Sequence, residues 1–355
     1  MNLLKAPAIA TFKPFKYPRA YEFYELHESM HWMPKEIPLG EDVKHWNAST
    51  PEQQAFIHSI LNLFTQSDVQ VGSGYNVLLR IFKPTEIQMA LSSFAARECV
   101  HMDSYSLFQD TIGLPETTYS EFLEVPEMVG KMEYIEKAKV RKYEDYEREI
   151  FREYPDIDEN ELVRLIDLKF RRDVARMLAV YGALTEGMAL FSSFAMLLNN
   201  QRFNKFPGLC QIVTWSIRDE EIHCQHNSWL FRTFINENLD IWDDELKKDI
   251  YSATREMVTL EDAFIDLAFD KGVTEGLDRD EMKQYIRYIA DRRLIELGLK
   301  PNFGVKKNPL RWMEDILNTP EFANFFETRS TEYAKASLQG SWDDVRANLR
   351  ELTAE

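Results

Sequence analysis

The chain has 355 residues, of which 45% are hydrophobic and 13% aromatic, and it carries a formal net charge of −17. This composition supports a substantial buried core and excludes a chain that is disordered throughout. The strongly acidic balance argues against nucleic acid or an anionic membrane face as the main partner.

Residues 1–18 read as an extended arm, interrupted by Pro7, Pro14 and Pro18 and lacking the apolar run of a signal peptide. A short helix is predicted over about 19–31, ending near Trp32-Met33-Pro34. Thr50 suits an N-cap, Pro51 the first helical position, and Gln53 completes a capping box, so a helix should run from 51 through the seventies. Pro84-Thr85-Glu86-Ile87-Gln88 repeats that start signal, and Gly113-Leu114-Pro115 is a stop. Residues 116–160 are rich in charge and contain Pro126 and Pro155, so they read as shorter helices or an excursion from the core. Helical patterns follow over about 160–199, from Pro207 to about 238, and over 243–271 and 279–298. Residues 300–320 hold Pro301, Gly304, Pro309 and Pro320 and read as loop with short turns, and the polar end reads as a mobile tail.

There is no pattern of alternating strands, and no stretch approaches the roughly 18–20 apolar residues of a membrane span. Cys99, Cys210 and Cys224 are too sparse for a disulfide framework and include no CxxC pair, which fits a reducing compartment. The expectation is a soluble, cytoplasmic, all-α protein: one helical domain over 1–320 and a separate tail over 321–355.

The chemistry lies in carboxylates at core positions. In the helix from Thr85, one face reads Ile87, Leu91, Phe94, Glu98, His101, Tyr105, Phe108, in alternating steps of 4 and 3. The preceding helix reads Ile57, Leu61, Phe64, Asp68, Val71, Tyr75, Leu78. Ala183, Glu186, Leu190, Phe194 and Leu197 place Glu186 on a third apolar face, and Val213, Ser216, Glu220, His223 and Leu230 form a fourth. Burying one unpaired carboxylate costs several kcal/mol, so four in one core require cations. Two divalent ions would balance them. One carboxylate from each of two helices plus Glu-x-x-His from each of two others is the ligand pattern of ferritin-like dinuclear bundles. Oxygen-rich ligands with one His per ion suit iron or manganese better than zinc. A third Glu-x-x-His, Glu28-Ser-Met-His31, has no carboxylate-bearing partner helix and reads as a chance match at the surface.

Glu98-Cys-Val-His101-Met-Asp-Ser-Tyr105 and Arg218-Asp-Glu220-Glu-Ile-His223 resemble the two signature helices of the small, radical-generating subunit of class I ribonucleotide reductase. The resemblance runs from Trp32-Met33-Pro34-Lys35-Glu36 through Asp68 to Asn324-Phe-Phe-Glu327 and Thr331-Glu-Tyr333. It implies that Asp68 and His101 bind one metal ion, Glu186 and His223 the other, and that Glu98 and Glu220 bridge them. Two iron ions per chain are expected, although manganese or a mixed Mn/Fe pair accepts the same ligands. Tyr105 matches the tyrosine that dioxygen activation oxidises to a stable radical, shielded by apolar neighbours such as Leu190 and Phe194. Trp32, Asp219 and His101 match the path carrying an electron and proton outward, and Tyr333 its continuation toward the large (alpha) subunit, where nucleotide is reduced. The chain has no Gly-rich phosphate loop and no close cysteine pair, which agrees with that division. A homodimer is implied as well.

The end of the chain departs from the apolar tails usual in this family. Trp342, Val345, Leu349 and Leu352 fall at steps of 3, 4 and 3, which suits an amphipathic helix that folds on binding the large subunit. Other dinuclear oxidases or hydroxylases would share the six ligands, and an iron-storage bundle would share the fold. Trp32, Asp219, Tyr105 and Tyr333 together favour the reductase subunit.

Overall fold

Helix follows helix from Pro18 to Leu317, with no strand among the described residues. The computed structural model describes residues 3–5, 11–272 and 274–317. Tyr333 and the tail over 321–355 lie outside them. The helices are α1 (Pro18–Ser29), α2 (Gly40–Ala48), α3 (Pro51–Ile81), α4 (Thr85–Ile112), α5 (Thr118–Glu121), α6 (Pro126–Lys137) and α7 (Tyr143–Glu153). Then come α8 (Glu159–Met177), α9 (Phe191–Leu198), α10 (Pro207–Glu237), α11 (Asp244–Lys271), α12 (Arg279–Glu296) and α13 (Arg311–Leu317). Between α8 and α9 the chain runs as a π-helix over Leu178–Ala189.

Local chemistry sets the ends of the long helices. At α3 the Thr50 hydroxyl accepts the Gln53 N–H at 3.3 Å, and the Gln53 side chain accepts the Thr50 N–H at 3.1 Å. Such a cap contributes about 1 kcal/mol. The matching start signal for α4 does open a helix at Thr85, but its N-cap is Pro84, with no side-chain cap. Glu86 in the first turn instead accepts the backbone N–H groups of Lys16 and Tyr17 at 2.8 and 2.7 Å, pinning the N-terminal arm. Gly113 ends α4 at φ 83°, a left-handed conformation that favours glycine.

Two elements depart from the sequence reading. The helix α2 was not anticipated, and its Asp42 accepts the Gly208 and Leu209 N–H groups at 2.9 Å, capping α10 from outside. Helix α13 lies where loop with short turns was expected, and its own Met313 is buried.

The bundle brings α3 against α4, α10 against the π-helix, and α1 across α4, while α11 and α12 back the π-helix. Every residue of the π-helix is buried. A Cβ on Gly182 would stand 2.2 Å from the Asn227 Cβ, so glycine there permits the close approach of α10. Past Glu186 the helical ladder breaks, and cations take up two of the carbonyls. Arg293 Nε donates to Gly187 O at 2.8 Å and Lys131 Nζ to Ala189 O at 2.9 Å. The run Glu159–Phe203 is long and apolar enough to cross a membrane by length and composition alone, but 94% of its most apolar window is buried within the protein. That is the signature of a core helix.

Candidate metal centre

Four helical segments meet around one polar cluster. The segment α3 brings Asp68, α4 brings Glu98 and His101, the π-helix brings Glu186, and α10 brings Glu220 and His223. None of the six is more than 1% exposed. They form two sets with potential ligand atoms within 4.8 Å of one another: Asp68, Glu98, His101, and Glu98, Glu186, Glu220, His223.

Glu98 and Glu220 face both histidines. Glu98 lies 3.6 Å from His101 Nδ1 through Oε2 and 3.3 Å from His223 Nδ1 through Oε1. Glu220 lies 3.2 Å from His101 Nδ1 through Oε1 and 3.4 Å from His223 Nδ1 through Oε2. Each carboxylate thus offers one oxygen to each side, as a bridging ligand must.

Several inward atoms are orphaned. Asp68 Oδ2, both Glu98 oxygens, Glu186 Oε1, Glu220 Oε2 and His223 Nδ1 have no hydrogen-bond partner among the described residues. An unpaired buried acceptor costs about 1–3 kcal/mol, more when charged. A group of orphaned oxygens and one imidazole nitrogen facing one another fits a pair of divalent cations.

The protonation of the metal-free cluster tells the same story. Burial, then repulsion from Glu98, drives Asp68 well above the ordinary carboxylate range. Burial pushes Glu186 up to about 8. Burial alone would lower the two histidines, but the carboxylates that surround them raise both well above the usual imidazole value. Protons occupy the place that cations would take.

Outside the cluster the two histidines have different supports. His101 Nε2 lies 3.1 Å from Asp219 Oδ2, which also accepts the Trp32 indole N–H at 2.8 Å. Arg97 donates to Asp219 Oδ1 at 2.8 Å. Burial would raise Asp219, but His101 and Arg97 hold it well below the usual carboxylate range. The Trp32 ring stacks beside His101, with centroids 6.0 Å apart and planes 28° apart. His223 Nε2 instead lies 3.1 Å from His27 Nε2. Glu186 Oε2 accepts from the Tyr75 hydroxyl at 2.8 Å and from Asn227 Nδ2 at 3.3 Å.

Tyr105 is fully buried, and its hydroxyl donates to Ser216 Oγ at 3.2 Å. Its ring packs on Phe64 at 4.8 Å, with Phe194 behind Phe64 at 5.0 Å. Burial, then the Asp68 charge, raises the phenol well above its ordinary pKa.

The six expected ligands, Tyr105, Trp32 and Asp219 therefore lie together in one buried region, while Tyr333 lies outside the described residues. Sequence reasoning missed His27, Ser93 and Arg97, and assigned no role to Tyr75, Ser216 or Asn227. A signal for His27 existed: Ala20, Phe23, His27 and Met30 form the buried side of the α1 region. The third Glu-x-x-His pair is exposed at both Glu28 and His31, as expected.

An all-helical bundle closing on a buried carboxylate–histidine cluster defines the dinuclear-carboxylate class of proteins. The family model described as "Ribonucleotide reductase, small chain" matches residues 9–309, and the chain belongs to that family. Its activity is that of the small subunit of ribonucleoside-diphosphate reductase, which implies a large-subunit partner. A protein of Invertebrate iridescent virus 3 named as a probable ribonucleoside-diphosphate reductase small subunit is 41% identical over 94% of this chain and 86% of its own length. The ribonucleoside-diphosphate reductase subunit beta of Chlamydia pneumoniae is 29% identical over 91% of this chain and 89% of its own. In fold, the chain is similar to the ribonucleotide reductase R2 subunit from Clostridium botulinum, with a TM-score of 0.74 at 21% identity over 90% of this chain and 95% of that one. It is also similar to dimanganese(II)-NrdF of Streptococcus sanguinis, with a TM-score of 0.62 at 17% identity over 88% and 100%.

Proposed function

We propose that Asp68 and His101 hold one metal ion, that Glu186 and His223 hold the other, that Glu98 and Glu220 bridge them, and that Tyr105 carries the radical used by the large subunit. The observation that carries this reading is the set of buried, orphaned atoms facing one another at the meeting of four helical segments. Two divalent ions offset the four carboxylates, and the oxygen-rich ligands favour iron or manganese. We assign two iron ions, with manganese the alternative that the dimanganese(II) state of the Streptococcus sanguinis neighbour supports.

When bound, the metal pair supplies the dioxygen-dependent oxidising power that removes an electron from a nearby tyrosine. Tyr105 suits that role because burial keeps its phenol protonated, so electron and proton must leave together. Phe64 packs on its ring, which limits quenching. Ser216 Oγ holds the phenol proton's hydrogen bond. Outward transfer runs from His101 through Asp219 to the Trp32 indole, three groups joined by hydrogen bonds through one carboxylate oxygen. Beyond Trp32 lies Trp215, with ring centroids 5.1 Å apart, half-buried toward the exterior. Tyr333 continues the path within a tail, residues 321–355, that docks on the large subunit, while residues 1–320 form the metal-binding domain. The working unit is a homodimer in the cytoplasm, a setting that suits its free cysteines.

The test is anaerobic loading with iron(II) followed by air. The account expects two iron ions per chain and a tyrosyl paramagnetic signal. Tyr105→Phe should keep both ions and lose the signal. A chain that binds only zinc, or no metal under any condition, overturns it.

A further inference from the structure

The second metal position is supported by a line of hydrogen bonds that ends at an exposed carboxylate. Four groups take part: His223, His27, Ser93 and Glu28. His223 Nε2 lies 3.1 Å from His27 Nε2, His27 Nδ1 lies 2.6 Å from Ser93 Oγ, and Ser93 Oγ lies 2.5 Å from Glu28 Oε1. His27 is fully buried, with Phe94 edge-on to its ring at 4.9 Å and Asp219 Oδ1 3.9 Å from its Nε2, beyond hydrogen-bond reach.

Counting donors assigns every proton along this line. The Glu28 carboxylate only accepts, so Ser93 gives it its single hydroxyl proton. Ser93 Oγ then accepts from His27 Nδ1, which makes His27 the Nδ1–H tautomer. The lone pair on His27 Nε2 accepts the proton on His223 Nε2. His223 Nδ1 is then the nitrogen left for the metal position, 3.3, 3.6 and 3.4 Å from oxygens of Glu98, Glu186 and Glu220. That nitrogen has no hydrogen-bond partner among the described residues.

We propose that His27 is a positioning residue for the second metal position: anchored by Ser93 and Glu28, it holds His223 in the tautomer and ring orientation that present Nδ1 to the metal. This rests on reading His223 as a ligand. A histidine ligand needs such an outer partner, and losing one costs about 10–100-fold in metal affinity. The inference also makes the two positions unequal. His101 leans on a carboxylate, which raises ligand basicity, whereas His223 leans on an imidazole lone pair.

The experiment is anaerobic equilibrium dialysis of the full chain against manganese(II), counting ions bound per chain, with paramagnetic resonance of the bound ions. Wild type should bind two. His27→Phe, which fills the space without an acceptor, should weaken the second ion about 10–100-fold and leave the first unchanged. His27→Gln should recover most of that loss, because its amide oxygen accepts from His223 and its NH2 donates to Ser93. A merely structural role would give no such rescue. Ser93→Ala keeps His27 but frees its tautomer, and should weaken the second ion by about tenfold, the low end for losing an outer partner, so the test survives if the Phe variant does not fold. Two ions bound with wild-type affinity in both His27→Phe and Ser93→Ala, or a Gln variant as weak as Phe, overturns the proposal. A wild-type chain that binds no second ion removes the ligand assignment itself, and His27's role with it.

Discussion

The two halves of the buried cluster share inner chemistry and differ in what stands behind it. Each half offers a histidine Nδ1, one carboxylate of its own and one oxygen from each of Glu98 and Glu220. Behind His101 lies a charged network, with Asp219 gripped by Arg97 and touching Trp32. Behind His223 and Glu186 lie His27, Tyr75 and Asn227, with no charged side chain in direct hydrogen bond to either ligand's outer atom among the described residues. The comparison teaches that ligand type alone does not decide what a metal position does. The half with the charged network behind its histidine is the one joined to Trp32, on the proposed outward path. In the other half the outer hydrogen bonds run instead from His223 through His27 and Ser93 to Glu28.

The largest way to break this comparison is Asp219→Ala. It strands a buried Arg97 and frees the outer nitrogens of His101 and Trp32. The expected cost is about 3–5 kcal/mol in stability, read as a large drop in the Tm of the metal-free chain. Asp219→Asn keeps the shape but removes the charge. It should retain the tyrosyl signal yet lose nucleotide reduction with the large subunit, and unimpaired reduction would refute Asp219's place in the path.

A pH series comes next in size. In the metal-free chain burial pushes Glu186 up to about 8 and drives Asp68 well above its usual range. Below those values each carries a proton that an incoming ion must displace. Affinity at both positions should therefore rise as pH increases from 6 to 8, by up to about tenfold per pH unit for each proton released. Asp219 stays ionised throughout, because its pKa is held low. Calorimetric titration in two buffers of different ionisation enthalpy counts the protons, and release of none would contradict the account.

The smallest effect sharpens the second half. Tyr75→Phe removes one of two hydrogen bonds to Glu186 Oε2. It should cost about 1 kcal/mol of stability and weaken the second ion several-fold, leaving the first unchanged. An equal loss at both positions would erase the distinction between the halves.

Much of the inner cluster was legible because a carboxylate on an apolar helical face is conspicuous. Asp68, Glu98, His101, Glu220 and His223 interrupt regular steps of 3 and 4 on α3, α4 and α10. Glu186 was legible for a different reason from the one its spacing suggests. The π-helix around it is buried on all sides, so it has no distinct apolar face, and Glu186 stands out as the one charged residue between Met177 and Leu198.

The outer partners were not legible because α4 is buried on two sides. Ala90, Ser93, Arg97, His101 and Ser104 form a second buried face, and α1 packs across α4. Reading one apolar face misses Ser93 and Arg97. The His27–His223 contact joins residues 196 apart in sequence, beyond any local pattern. The short α2 has no long periodic run to announce it, and its role, capping α10 through Asp42, is tertiary.

The central claim is that this cluster holds two metal ions bridged by Glu98 and Glu220. Anomalous diffraction from crystals of the iron-loaded protein tests it most directly. The account predicts two peaks, one among Asp68, Glu98, His101 and Glu220, the other among Glu98, Glu186, Glu220 and His223. A single peak, or none within this cluster in crystals of fully loaded protein, would contradict it.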